Sequence, residues 1–183
     1  MILQSIISAD TWFENLMLAI RTPLTVRVFE VITFFGEPTT IIGFAGVIGL
    51  ALLYTPRGRA FVVSFVTTLA GAAATGFALK DIVKRARPDG LIPAIRETGF
   101  SFPSGHATGS MAFYGFTAFI LCKLYPRYAK AAIAAATVLI LAIGFSRLYL
   151  GAHFPSDVIA GYLLGGVWVF IGIKIAGRRQ DPK

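Results

Sequence analysis

Cysteine is all but missing: Cys122 stands alone in 183 residues, so neither an intramolecular disulfide nor a cysteine-based zinc site can form. Charge is scarce as well, at 14% of residues against 56% hydrophobic, with a mean hydropathy of +0.73. That balance excludes an ordinary soluble chain and implies an integral membrane protein. Acidic residues number nine against seventeen basic, a formal net charge of +8. Nucleic acid is nevertheless a poor partner, because the basic residues sit in short loops between apolar runs and form no extended basic surface. Residues 1–9 have no positive n-region, so no cleaved signal peptide is expected. Repeats, low-complexity tracts and interdomain linkers are also lacking, which leaves a single domain over residues 1–183.

What is present is a series of uncharged runs: Pro38 to Pro56, Ala60 to Leu79, Ala107 to Cys122, Ala131 to Ser146 and Val158 to Ile173. The first two are long enough to span a bilayer, and the others need flanking Lys123, Lys130, Arg147 and Lys174 to snorkel or line a polar site. The expected fold is all-α, a polytopic transmembrane bundle of five or six spans, with a core over residues 38–177. Residues 1–37 read as two N-terminal helices. Thr11 with Glu14 resembles a capping box, and Thr22-Pro23 a second helix start. Their charges gather on no single face, so an interfacial and a spanning placement both stay open. Thr55 to Arg59 reads as a tight basic turn between the first two spans.

Two spans separate the loop around Lys80 to His106 from the loop around Arg147 to Asp157, so both emerge on one side. The opposite side collects nine basic residues against six, which makes it the cytoplasmic one by the positive-inside rule.

Three polar clusters occupy the shared side. In Ser101-Phe102-Pro103-Ser104-Gly105-His106, a turn feeds an apolar helix, so Ser104, Gly105 and His106 fall at a helix start. The free N–H groups and positive dipole end there suit an anion. On a helix continuing to Pro88, Lys80, Lys84 and Arg87 share one face as a candidate anion clamp. In Ser146 to Asp157, Pro155 suits a first helical turn and His153 lies four residues before Asp157, near enough for carboxylate and imidazole to meet. A carboxylate on one ring nitrogen leaves the other free as nucleophile or base. His106 and His153 are the only two histidines.

Lys80 with six residues before Arg87-Pro88, then Pro103-Ser104-Gly105-His106, then Ser146-Arg147 with five residues before His153 and three more before Asp157, resemble the three signature motifs of the type-2 phosphatidic acid phosphatases. That family shares its site with vanadium haloperoxidases. Every motif matches without substitution, in order; residues 1 to about 37 have no counterpart in the resemblance. It implies an integral membrane lipid phosphatase working through a phosphohistidine. His153 would be the nucleophile, Asp157 its orienting acid, and His106 the general acid that protonates the leaving oxygen. Lys80, Arg87, Arg147, Ser104 and the Gly105 backbone would hold the phosphoryl oxygens. It implies no cofactor and no metal, since fixed cations and a helix N-terminus can neutralise the equatorial charge. Substrate candidates are phosphatidic acid or phosphatidylglycerol phosphate, undecaprenyl pyrophosphate and lipid A 1-phosphate. The expected location is the inner (cytoplasmic) membrane, multi-pass, with the site on its outer, periplasmic or extracellular, face. The alternatives are a phosphotransferase using the same site and a non-catalytic lipid-phosphate binder. Because the two histidines are asked for opposite protonation states, the rate of phosphate release should follow a bell-shaped pH profile. A rate that kept rising to high pH would remove His106 from its acid role.

Overall fold

The computed structural model describes residues 2–90 and 97–180. Among these, seven α-helices occur in the order α1 (Ile2–Ala19), α2 (Pro23–Phe34), α3 (Pro38–Tyr54), α4 (Pro56–Val83), α5 (Gly105–Leu124), α6 (Ala129–Tyr149) and α7 (Pro155–Gln180). Four of them, α4, α5, α6 (with the short 3-10 turn at Pro126–Tyr128) and α7, are long and apolar enough to cross a membrane. The pair α2 and α3, bent by 41°, adds a fifth if it is one broken span. This meets the lower of the two expected span counts.

The helices extend past the apolar runs at nearly every end, because polar residues there continue the turn instead of breaking it. Thr55 caps α4, its hydroxyl accepting from Gly58 N at 3.1 Å, with Pro56 in the first turn. Arg57, Gly58 and Arg59 are therefore the opening of α4 and not a connecting turn. Thr22 caps α2 with a reciprocal box to Thr25, as the Thr22-Pro23 pair predicts. The proposed start at Thr11 does not exist: α1 runs through it, and the Thr11 hydroxyl donates to Ile7 O at 3.0 Å.

The largest correction falls on the C-terminus of α4. A helix continuing to Pro88 was expected, but it stops at Val83, and Lys84 takes a left-handed φ of 51°. Such a conformation costs a non-glycine residue about 1–2 kcal/mol, and the contacts of the next three residues, described below, hold it there. Lys84 and Arg87 thus leave the helical face on which Lys80 sits.

Helix α5 is central, packing against α7, α6, α4 and α3. Phe61 and Phe65 of α4 meet Phe113, Phe116 and Ile120 of α5, with Ile41, Leu52 and Ala176 completing the cluster. Large apolar side chains such as Leu50, Val66, Phe77, Val138, Leu163 and Phe170 point outward, as expected where the solvent is hydrocarbon. Against α5, helix α7 presents glycines. A Cβ on Gly161 would lie 2.7 Å from Ser104 O, and one on Gly165 2.7 Å from Thr108 O. This Gly-xxx-Gly spacing lets the two backbones touch.

Gly165→Ala should therefore cost about 1–3 kcal/mol by overpacking, lowering the thermal unfolding midpoint in detergent. Gly43→Ala, where an added Cβ meets nothing within 4 Å, should leave it unchanged. Equal midpoints for the two variants would remove the close α5–α7 contact.

Candidate active site

All eight residues expected at the site converge at one end of the bundle, where α4 and α6 end and α5 and α7 begin. Their positions follow from the caps. Ser104 is the N-cap of α5, its hydroxyl accepting from Ala107 N at 3.4 Å, which puts Gly105 and His106 in the first turn. Ser104 N donates to Asp157 O at 3.0 Å, joining the start of α5 to the first turn of α7. Arg147 is in the last turn of α6. His153 precedes α7 in the loop, so its meeting with Asp157 does not depend on a helical turn between them.

The imidazole Nδ1 of His153 lies 3.6 Å from Asp157 Oδ2, slightly beyond hydrogen-bond distance. Ser101 closes the gap. Its hydroxyl is 3.2 Å from His153 Nδ1 and 2.5 Å from Asp157 Oδ2. The Arg85-paired carboxylate can only accept, so the single Ser101 proton goes to Asp157 and Ser101 Oγ accepts from Nδ1–H. That fixes the tautomer and leaves Nε2 unprotonated, its lone pair accepting a long hydrogen bond from Arg87 Nη1 at 3.3 Å. Burial, together with Arg147 and Arg87, pushes the His153 pKa down to about 4, the nearby Asp157 opposing them in part. The imidazole is therefore neutral, as a nucleophile must be.

The cations form the other wall. Arg87 reaches the site from extended chain, Nη1 donating to Ala152 O at 2.9 Å. Glu97 bridges the two guanidiniums, one oxygen on Arg87 Nη2 at 3.1 Å and the other on Arg147 Nη2. Arg147, only 1% exposed, also donates from Nη1 to Thr33 Oγ1 of α2 at 2.7 Å. Lys80 Nζ donates to Phe100 O at 2.7 Å. Arg147 Nε and His106 Nε2 are buried with no hydrogen-bond partner among the described residues. Leaving a buried polar group unpaired costs about 1–3 kcal/mol, which a hydrogen-bond partner reaching it would remove. His106 lies within electrostatic reach of Arg147, His153, Arg87 and Lys80.

Two glycines hold the loops together. Gly151 has a φ of 72° and its added Cβ would lie 2.3 Å from Gly90 O, so only glycine lets the 84–90 segment rest on the 150–154 loop. Arg21 then staples both, donating to Tyr149 O at 2.7 Å and Gly90 O at 2.6 Å.

A family model described as the PAP2 superfamily matches residues 61–181. This chain belongs to the PAP2 superfamily. It is 31% identical over 170 residues, 90% of this chain and 81% of the relative, to phosphatidylglycerophosphatase B of Bacillus subtilis. Over 189 residues, 91% of this chain and 74% of the relative, it is 35% identical to the lipid A 1-phosphatase of Rhizobium johnstonii. Its structure resembles that of a transmembrane PAP2 type phosphatidylglycerolphosphate phosphatase from Bacillus subtilis, with a TM-score of 0.85 and 29% identity, covering 95% of this chain and 87% of the other. Coverage that wide takes in most of residues 1–37, which the motif resemblance alone left without a counterpart.

Four residues around this PAP2 site were not singled out from the sequence: Arg85, Ser101, Glu97 and Asp10. Ser101 stood inside the quoted turn, but nothing local marks it as the bridge between two residues more than fifty positions away.

In a His106→Gln protein, His153 is the sole histidine, so its ring nitrogens can be titrated by nitrogen-15 NMR without assignment. The midpoint is expected near 4. One at or above the ordinary histidine value of about 6.5 would show that burial and the arginines do not govern it.

Proposed function

We propose that this PAP2 protein hydrolyses a phosphomonoester on a membrane lipid through a phosphohistidine, with a glycerophospholipid phosphate such as phosphatidylglycerol phosphate as the first candidate substrate. The coarser statement, a membrane phosphoric ester hydrolase, follows from the superfamily and from relatives that are named phosphatases. One observation carries the lipid reading. Lys80 and Gly105, residues of the cradle, also line the head of an apolar groove of about 250 Å³ that continues between α3, α4 and α5 past Ile41, Leu69, Phe77 and Ala112. A head group in the cradle would leave its acyl chain in hydrocarbon.

The steps use groups already in position. His153 Nε2 attacks phosphorus as the bond to the lipid oxygen breaks, and His106 supplies the proton that oxygen needs. The positive charge growing on the His153 ring is met through Nδ1–H, Ser101 and Asp157. Arg87, Arg147 and Lys80 face the charge on the equatorial oxygens, which no general base could stabilise. Water then attacks the phosphohistidine, giving up its proton to His106 and releasing phosphate. Taking the side with nine basic residues as cytoplasmic, the site faces the outer leaflet. The structural likeness to the phosphatidylglycerolphosphate phosphatase, with its TM-score of 0.85, puts a glycerophospholipid first, while the likeness to a lipid A 1-phosphatase over 91% of this chain keeps lipid A 1-phosphate next to it.

The test is a phosphate-release panel in detergent with EDTA present, over phosphatidylglycerol phosphate, phosphatidic acid, undecaprenyl pyrophosphate and lipid A 1-phosphate. The first should be the best substrate, chelation should not slow it, and His153→Ala should lose about a thousandfold or more in kcat. Release by His153→Ala at the wild-type rate would sink the phosphohistidine. Phosphate appearing on an added acceptor instead of in solution would favour a transferase, and no release from any lipid would favour a binder.

A further inference from the structure

Helix α1 lies against the site end of the bundle along much of its length. Asp10 at its middle reaches Ser156, Glu14 one turn later accepts from Gly90 N at 3.0 Å, and Arg21 just beyond its end holds Tyr149 and Gly90. A helix crossing the bilayer could bring only one end to that face, so α1 runs along it.

The contacts of Asp10 are the notable ones. Its side chain is 3% exposed, and Oδ1 accepts from Ser156 N at 3.0 Å. Oδ2 accepts from Ser156 Oγ at 2.5 Å and from Arg85 Nη2 at 2.7 Å. Arg85 in turn donates from Nη1 to Asp157 Oδ1 at 2.7 Å and to Ser156 Oγ at 2.6 Å, its guanidinium lying 4.2 Å from the centre of the Phe154 ring. The two oxygens of Asp157 are thus divided. Oδ2 accepts from Ser101 and from the Phe154 backbone N–H and faces His153, while Oδ1 is held by Arg85 alone among the described residues. The left-handed residue Lys84 is what turns Arg85 inward.

We propose that Arg85 and Asp10 are positioning residues of the reaction, an Asp10–Arg85–Asp157 chain through which α1 sets the orientation of the carboxylate that supports the nucleophile. The proposal rests on His153 and Asp157 acting as the preceding subsection has them. Arg85 locks the rotation of the Asp157 carboxylate so that Oδ2 points at Ser101 and the ring. Asp10 shares the charge of Arg85, so that this cation does not draw the Asp157 charge away from the imidazolium-like ring that forms during attack. Neither residue touches the cradle, so substrate binding is left alone.

The experiment is a double-mutant cycle on the full-length protein in detergent, with radiolabelled lipid phosphate so that slow variants remain measurable. Arg85→Gln and Asp10→Asn should each lower kcat about 10- to 100-fold, the loss expected of a misplaced supporting group, with KM within about threefold. Arg85→Lys should recover part of the loss. In an Asp157→Asn background neither change should cost anything further. Equal losses in both backgrounds, or a rise in KM with kcat intact, would overturn the proposal and leave the pair a fold-stabilising contact. If the wild type releases no phosphate from any lipid, the hydrolase reading fails instead, and the His106→Gln background decides the positioning claim. His153 faces Arg87, Arg147, Ser101 and Asp157 there. Adding Arg85→Gln must move its titration midpoint upward as Asp157 ceases to share its charge, and an unmoved midpoint overturns the chain.

Discussion

A carboxylate sealed from solvent holds this site together. Asp157 has a fully buried side chain, and an ion placed there would cost several kcal/mol if left without donors. Its partners come from different parts of the chain: Arg85 beyond α4, Ser101 ahead of α5, and the Phe154 backbone ahead of α7 at 3.0 Å. Because one carboxylate gathers all of them, the loops bearing the motifs cannot move independently. The strained Lys84 cap is retained for the same reason, since releasing it would withdraw Arg85 from a buried charge. His153 gains its tautomer as a by-product of that satisfaction, through the one hydroxyl that both groups share.

Bringing those partners within reach depends on how closely α5 and α7 approach. The Ser104 N to Asp157 O bond of 3.0 Å exists only because the next turns of α7 carry no side chain toward α5 at Gly161 and Gly165. Packing deep between the helices therefore sets distances at the site. Gly151 does the same for the loops, since the approach to Gly90 carries Arg87 to the Ala152 carbonyl and so to His153. In each case a missing Cβ far from any chemistry determines where a charged group can stand.

The fold class, the apolar helices and the three polar clusters were all legible in the sequence, because hydrophobic run length and motif spacing are local properties. The shared membrane face followed from counting spans between the clusters. What stayed hidden was non-local or against the usual preference. Lys84 ends a helix in a conformation that glycine or asparagine normally supplies, so nothing in the Lys80 to Pro88 stretch announced a break. Asp10 and Arg85 are 75 residues apart, and no spacing rule relates them. Glu97, an acid in a basic loop, belongs to none of the three motifs, yet it lies between both clamp arginines. The expected turn at Thr55 to Arg59 misread a capped helix start, since Thr-Pro followed by basic residues fits either.

The position of Glu97 bears on why two guanidiniums can stand side by side at the edge of a bilayer. Unpaired, Arg87 and Arg147 would repel one another where screening by water is weak. A single carboxylate answers the charge of about one of them, and its two oxygens are already used, one on each arginine. Arg147 Nε and His106 Nε2 are left over. A phosphoryl group carries up to about two negative charges and three terminal oxygens, so it meets both cations and has an oxygen to spare for the donors that Glu97 does not reach. The cradle is thus better matched in charge and in donor count to a phosphoryl group than to the side chain that bridges it.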